Sequence, residues 1–346
     1  MINKDFLFSI IVPVYNTEKY IEKSLNSILK AIKDDCEVII INDGSTDNSE
    51  KKINEFLEKL PSKLKNNFVY TKKENKGLAD TKNVGLDMAH GKYISVVDSD
   101  DCIRDDFYDI ARRYIDDYDM IIYDVYVVFE KDKKLNYISR AKQDYKENDM
   151  VAILNGAISG SSCNKIIKKE LYNGYRFPVG KQYEDTAVTP FIISDAQKIK
   201  YVPYPMYYYL QREKSIVATN TYMSAFYKIC ENISEVLRKD NKDMEKYKYV
   251  INEFFADRIL DILTQELNEN KDEMNDNLQK FSNNNKEVLN YIIDSNMIYT
   301  IENHYSERQK KLVVEIIEDL KNNNSKNVVK VLKIRKIINK LRSIRR

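Results

Sequence analysis

Two clusters of carboxylates carry the strongest chemical signal in this chain. Asp98-Ser99-Asp100-Asp101 ends an apolar run. Its carboxylates two residues apart offer the hard oxygen ligands that Mg2+ and Mn2+ take, with substrate phosphates filling other positions. Glu184-Asp185-Thr186 sets two acids side by side, where each shifts the proton affinity of the other and one can act as a general base. A third acidic group, Asp43-Gly44-Ser45-Thr46-Asp47, has the residue types of a strand-to-helix turn. Each cluster also has a plainer reading: Asp101 or Asp105 could cap a following helix, and Glu184 and Asp185 could open one over residues 186–194.

What must position these acids is visible in the hydrophobic pattern. Runs rich in β-branched and aromatic residues at 9–15, 37–42, 68–71 and 93–98 predict buried strands. Between them, 18–33, 46–60 and 78–90 have helical length, and in the first Tyr20, Ile21, Leu25, Ile28, Leu29 and Ile32 recur at spacings of three and four. Strand alternating with helix predicts an α/β fold with a mostly parallel sheet flanked by helices and a ligand crevice at the carboxyl ends of the strands. Asp43 and Asp98 each directly follow a predicted strand, where that crevice would lie. Residues 119–137 predict a hairpin or edge pair. From 221 onward no Pro or Gly occurs and apolar stripes recur at Phe226, Ile229, Ile233 and Val236, which predicts an all-helical accessory domain. The expected domains are 1–220, 221–324 and a basic tail, 325–346; the Asn-rich stretches 268–285 and 322–327 read as solvated helix surface or linker.

Composition excludes several classes. With 56 basic against 54 acidic side chains among 346 residues, there is no global signal for nucleic acid. The cysteines Cys36, Cys102, Cys163 and Cys230 have no paired spacing and only His90 and His304 could add imidazole, so a structural zinc is not expected and a reducing, cytoplasmic compartment is. The apolar stretch 6–15 is too short for a membrane span and contains Pro13.

Taken in order, Ser9-Ile10-Ile11-Val12-Pro13-Val14-Tyr15-Asn16, the Asp43 turn, Asn75-Lys76-Gly77-Leu78, Asn83-Val84-Gly85 and the Asp98–Asp101 group resemble family 2 glycosyltransferases. The resemblance is dense over residues 8–101 and continues through Asn164-Lys165, the Glu184 triplet and Arg212-x-x-Ser215. It implies the GT-A fold, a nucleotide-diphospho-sugar donor, most simply a UDP-sugar, and a Mn2+ or Mg2+ cofactor. It also implies that Pro13, Tyr15 and Asp43 hold nucleobase and ribose, with Asp43 accepting from a uracil ring nitrogen; that Asp98 lies near the ribose; and that Asp100 ligates the metal. Asp185 becomes the general base of an inverting transfer, with Glu184 beside it orienting acceptor or sugar, or with the two roles exchanged. Lys82 stands where the family most often has Arg, so its expected contact with the diphosphate lacks the planar fork. Arg212 and Ser215 are expected on a loop over the diphosphate.

The chain has no Trp, hence no Gln-x-x-Arg-Trp motif of the membrane-embedded processive synthases, and a non-processive enzyme is expected. The acceptor expected by family analogy is a glycan, a teichoic acid or a lipid-linked acceptor. The tail, 325–346, carries nine Lys or Arg and no acid, with apolar residues at Val331, Ile334, Ile338 and Leu341. A helix there is expected either to lie on an anionic membrane surface, making the protein peripheral on the inner face of the plasma membrane, or to pack its apolar stripe on the accessory domain. Two other functions compete. A nucleotidyltransferase should show a Gly-rich phosphate loop near the start, but no glycine precedes Gly44. A non-catalytic sugar-nucleotide or glycan-binding module would have no use for Asp100, Glu184 and Asp185 together.

Overall fold

The computed structural model describes residues 5–131, 135–138, 160–212, 222–239, 242–256, 258–269, 272–301 and 305–344. The chain divides into two compact units, Met1–Thr219 and Asn220–Arg346.

The first unit is built on one mixed sheet. Strands β1 (Phe8–Val14), β2 (Cys36–Asn42), β3 (Phe68–Lys72) and β4 (Tyr93–Val96) run parallel in the order β3-β2-β1-β4. Every residue of β1 and β2 is buried, as expected of strands covered on both faces. Helices α1 (Ile21–Ala31), α2 (Ser49–Glu58) and α3 (Leu78–Met88) make the crossovers, and α1 buries Ile21, Leu25 and Ile28. Gly85 lets α3 lie directly on β1: a Cβ there would stand 2.4 Å from Ile11 Cγ2.

Beyond β4 the parallel order ends. After the short β5 (Cys102–Ile103) and helix α4 (Phe107–Ala111) come β6 (Met120–Phe129), β7 (Leu135–Ile138), β8 (Lys165–Lys168) and β9 (Ile199–Gln211). Strand β8 enters between β4 and β6 antiparallel to both, so the residues just before it lie at the crevice end of the sheet. Strands β6 and β7 form the expected hairpin, but β6 is interior, flanked by β8 and β9. Strand β9 runs parallel to β6 and carries its last residues up beside β5. A 3-10 turn, Glu184–Ala187, precedes helix α5 (Thr189–Asp195).

The described residues of the second unit form helices joined by turns: α6 (Tyr222–Lys239), α7 (Lys248–Ile251) running into a π turn at Asn252–Ala256, α8 (Ile259–Glu269), α9 (Met274–Asp294), α10 (Met297–Thr300), α11 (Glu307–Lys321) and α12 (Ser325–Ile344). The Asn-rich stretch corrects the reading of 268–285. It belongs largely to α9, whose Met274, Leu278, Phe281, Val288 and Leu289 are in the core, with Phe281 stacked on Phe226 at 5.7 Å. Apolar residues spaced by three and four outweigh the polar composition between them. Even Asn285, where the helix departs from helical angles, is buried and accepts from Ser234 Oγ at 2.6 Å. The tail helix α12 packs on α8, α9 and α11, burying Val328 and Leu332 and leaving Ile334 48% exposed.

Candidate active site

Three groups of side chains gather at the carboxyl ends of β1, β2 and β4. The first is at β1 and β2. The Asp43 N–H donates to Val14 C=O at 2.8 Å, which sets Asp43 beside Tyr15. Pro13 pairs with Ile41 inside the sheet, and the Tyr15 ring, just past the strand, is exposed. The Asp43 carboxylate is buried and accepts the N–H groups of Lys76 (3.0 Å) and Gly77 (2.9 Å) and the ammonium of Lys73. An ionised carboxylate has roughly four acceptor sites, so three donors leave one for a ligand. Gly44, at φ +68°, makes the turn that follows, and its missing side chain leaves room for the backbone of Lys73 and Asn75.

The second group follows β4. Asp98 is half-buried, but its Oδ1 is shut off from solvent and has no hydrogen-bond partner. Burial pushes its carboxyl up to about 7, against the opposing charge of Lys82 and with help from Asp100, Asp185 and Glu184. Burial also raises Asp100, with Arg212 opposing, and the Arg212 guanidinium lies 2.6 Å from Asp100 Oδ2. The guanidinium covers the Tyr20 ring at 5.4 Å, and Tyr20 in turn donates to Glu130 at 2.5 Å. Asp101 is a scaffold residue. Its Oδ2 accepts from Tyr207 Oη (2.7 Å), its Oδ1 from the Leu210 N–H (2.7 Å), and the same Tyr207 oxygen accepts the Asp98 N–H (3.1 Å).

The third group joins α3 to the Glu184 turn. Lys82 is buried, and its ammonium donates to Asp185 Oδ1 (2.6 Å), Glu184 Oε1 (2.9 Å) and Ser162 Oγ (3.2 Å) while lying 5.2 Å from the Phe177 ring centroid. Burial alone would depress its ammonium, but Asp185, Glu184 and Asp98 outweigh that and hold it well above the usual lysine range. Burial raises Glu184, with Lys82 pulling the other way. Tyr183, just before the turn, has φ +58°, a left-handed conformation costly for a bulky residue and often found where a site dictates the backbone. Asn83, next to Lys82, exchanges hydrogen bonds with the Phe177 backbone at 2.8 and 2.9 Å and ties α3 to this segment.

Set against the sequence reading, Pro13, Tyr15 and Asp43 come together, as do Asp98, Asp100 and Arg212. Lys82, expected toward the diphosphate, instead has its ammonium on Glu184 and Asp185. Ser215 lies outside the described residues. Sequence reasoning missed Lys73, Ser162 and Tyr207. A lysine just past β3 was the available signal for Lys73; a small residue ahead of a short strand gave none for Ser162.

A divalent ion would find only part of its coordination shell in this donor set. Among the described residues no group of three or more His, Cys, Asp or Glu could hold a metal. The unpartnered Asp98 Oδ1 and the Asp100 carboxylate are hard oxygens two residues apart, and Mg2+ and Mn2+ are commonly held by one or two carboxylates plus substrate phosphates. The residues fit an ion that arrives with a diphosphate.

Comparison with known proteins decides the family. The profile described as "Glycosyl transferase family 2" matches residues 9–176. The chain is 32% identical over 228 residues to the glycosyltransferase GlyG of Streptococcus pneumoniae serotype 4, covering 62% of this chain and 73% of GlyG. The chain belongs to glycosyl transferase family 2. This family 2 enzyme is also 31% identical over 249 residues to the poly(ribitol-phosphate) beta-N-acetylglucosaminyltransferase TarS of Staphylococcus aureus, covering 69% of the chain but 42% of TarS. Its fold matches the crystal structure of S. aureus TarS 1-349 in complex with UDP-GlcNAc, with a TM-score of 0.69 at 20% identity over 96% of this chain and 92% of that one. The mixed sheet with flanking helices is thus the GT-A fold of a glycosyltransferase, followed by a helical region.

Proposed function

We propose that this glycosyltransferase moves a sugar, with inversion, from a UDP-sugar to a hydroxyl of a glycan, teichoic acid or lipid-linked acceptor. The observation that carries this reading is the convergence of Asp43, the Asp98–Asp100 pair and the Glu184–Asp185 pair on one end of the sheet. TarS, crystallised with UDP-GlcNAc and named for a poly(ribitol-phosphate) acceptor, supports the UDP donor and the teichoic-acid class of acceptor.

In this mechanism Tyr15 and the free acceptor site of Asp43 receive the nucleobase. Arg212, already beside Asp100, turns its fork to the diphosphate oxygens. Asp100, with Asp98 behind it, would hold Mn2+ or Mg2+, and what such an ion supplies when bound is neutralisation of charge on the diphosphate. Asp185 takes the proton of the acceptor hydroxyl as its oxygen bonds to the anomeric carbon and the bond to the diphosphate breaks on the opposite face. One in-line displacement inverts the centre. Lys82 holds both acids of the third group in place through its ammonium. Calorimetry with UDP and a panel of UDP-sugars, together with transfer assays, tests this. Asp185→Asn should keep UDP binding and lose about 10²–10⁴-fold in rate. Wild type that ignores UDP refutes the donor, and an active Asp185→Asn refutes the base.

For α12 we propose a peripheral position on the inner face of the plasma membrane. Lys330 and Lys333 are exposed, as is Ile334, and no described helix is long and apolar enough to cross a membrane. Each such lysine adds roughly 1 kcal/mol of attraction at an anionic surface. Equal flotation of wild type and the Lys330→Glu, Lys333→Glu variant with phosphatidylserine vesicles would sink this idea.

A further inference from the structure

Ser162 is 2% exposed, and besides accepting from Lys82 its polar groups converge on one carboxylate. Its N–H donates to Asp185 Oδ2 at 3.0 Å, and its Oγ lies 3.1 Å from both Oδ1 and Oδ2. The direction of that second bond is forced. The Lys82 ammonium, 3.2 Å away, can only donate, so it occupies a lone pair of Ser162 Oγ and leaves the hydroxyl proton for Asp185. Asp185 Oδ1 also receives Lys82 directly at 2.6 Å. Three donors from two fixed residues therefore set both the direction and the plane of this carboxylate. Its side chain remains 20% exposed, so part of it still faces outward.

The platform beneath Ser162 is itself pinned. Buried Lys165 donates to Ser161 C=O (2.6 Å) and Asn164 Oδ1 (2.8 Å). The Asn164 amide donates to Tyr123 C=O (2.6 Å), and the Tyr123 N–H returns a bond to Asn164 C=O (3.0 Å). This is the segment that antiparallel β8 brings to the crevice end of the sheet. A second contrast is with Glu184, which shares Lys82 but receives nothing from Ser162.

We infer that Ser162 is the positioning residue of the base: it aims the Asp185 carboxylate and selects Asp185 over Glu184 for proton removal. The inference rests on the reading of Asp185 as the base. Base catalysis needs the acceptor within about 2.6–3.2 Å of the proton it takes, and a misplacement of about 1 Å can cost about a hundredfold. Removing the hydroxyl leaves Asp185 with the backbone N–H and Lys82 but frees its plane.

The test is UDP release by the full-length chain from UDP-GlcNAc, UDP-glucose and UDP-galactose, with water taking the place of the acceptor, alongside UDP calorimetry and thermal melting. Ser162→Ala should melt near wild type and bind UDP unchanged, hold the donor KM within about twofold and lose about 10–100-fold in kcat. Ser162→Thr, which keeps the hydroxyl, should recover most of that loss. Wild-type kcat in Ser162→Ala while Asp185→Asn is dead overturns the inference alone. So does a loss shared by kcat, KM and UDP affinity, which would make Ser162 a folding residue only. An active Asp185→Asn overturns the base reading and the inference with it; wild type that releases UDP from none of the three overturns the UDP-sugar donor on which both rest.

Discussion

Each carboxylate pair of the crevice has one cation in direct ion-pair contact, and the two cations differ in kind. Arg212 reaches Asp100 from the end of a strand, is 33% exposed and rests on an aromatic ring; its buried Nε makes no hydrogen bond. Lys82 rises from the middle of α3, is 2% exposed and spends its ammonium on Glu184, Asp185 and Ser162. Arg212 can exchange one carboxylate for phosphate oxygens at little cost, because its fork is weakly hydrated and partly solvated where it stands. Lys82 cannot leave without stranding two acids. One pair is arranged to open for a ligand and the other to stay shut.

Breaking the shut pair should have the largest effect. Lys82→Met is expected to lower unfolding stability by about 3–5 kcal/mol, since removing one partner leaves uncompensated buried charge. Urea titration measures it, and a loss below about 1 kcal/mol would make Lys82 no different from a surface ion pair. At the open pair, Asp100→Ala should weaken UDP binding in Mn2+ at least about tenfold, a cost near 1.4 kcal/mol, and leave metal-free UDP binding unchanged by calorimetry. Equal loss in both conditions would remove Asp100 from the metal. Arg212→Gln should have the smallest effect on folding, under about 1 kcal/mol. Because it removes a competing cation from Asp100, it should also bind Mn2+ alone more tightly by electron paramagnetic resonance; weaker Mn2+ binding would erase the contrast between the cations.

Much of the first unit was legible in the sequence because β1 to β4 and their helices obey local rules: β-branched runs make strands, spacings of three and four make α1, and in a parallel sheet ligand residues follow strands. Asp43, Asp98 and Asp100 are readable for that reason. Ser162 is not, because it precedes a strand and only the antiparallel entry of β8 carries it to the same end. The partner of Lys82 is not readable either. Its position on a helix says which face it occupies, but Glu184 and Asp185 reach it through a turn about a hundred residues later. In the second unit the Asn-rich composition of α9 hides its periodic core, and α12 shows how a cationic helix can bury Val328 and Leu332 in its own domain while keeping lysines in water.

Gly85 lies three residues beyond Lys82, nearly one turn along α3, where the helix rests on Ile11 through the side chain it does not have. The height of the helix above the sheet is thus a ruler for the ammonium at its centre. Ile11 is branched at Cβ and cannot swing its methyl far, so any larger residue at 85 must raise this end of α3. The enzyme would then lose its chemistry through an oily contact, with every acid and base of the crevice still written in its sequence.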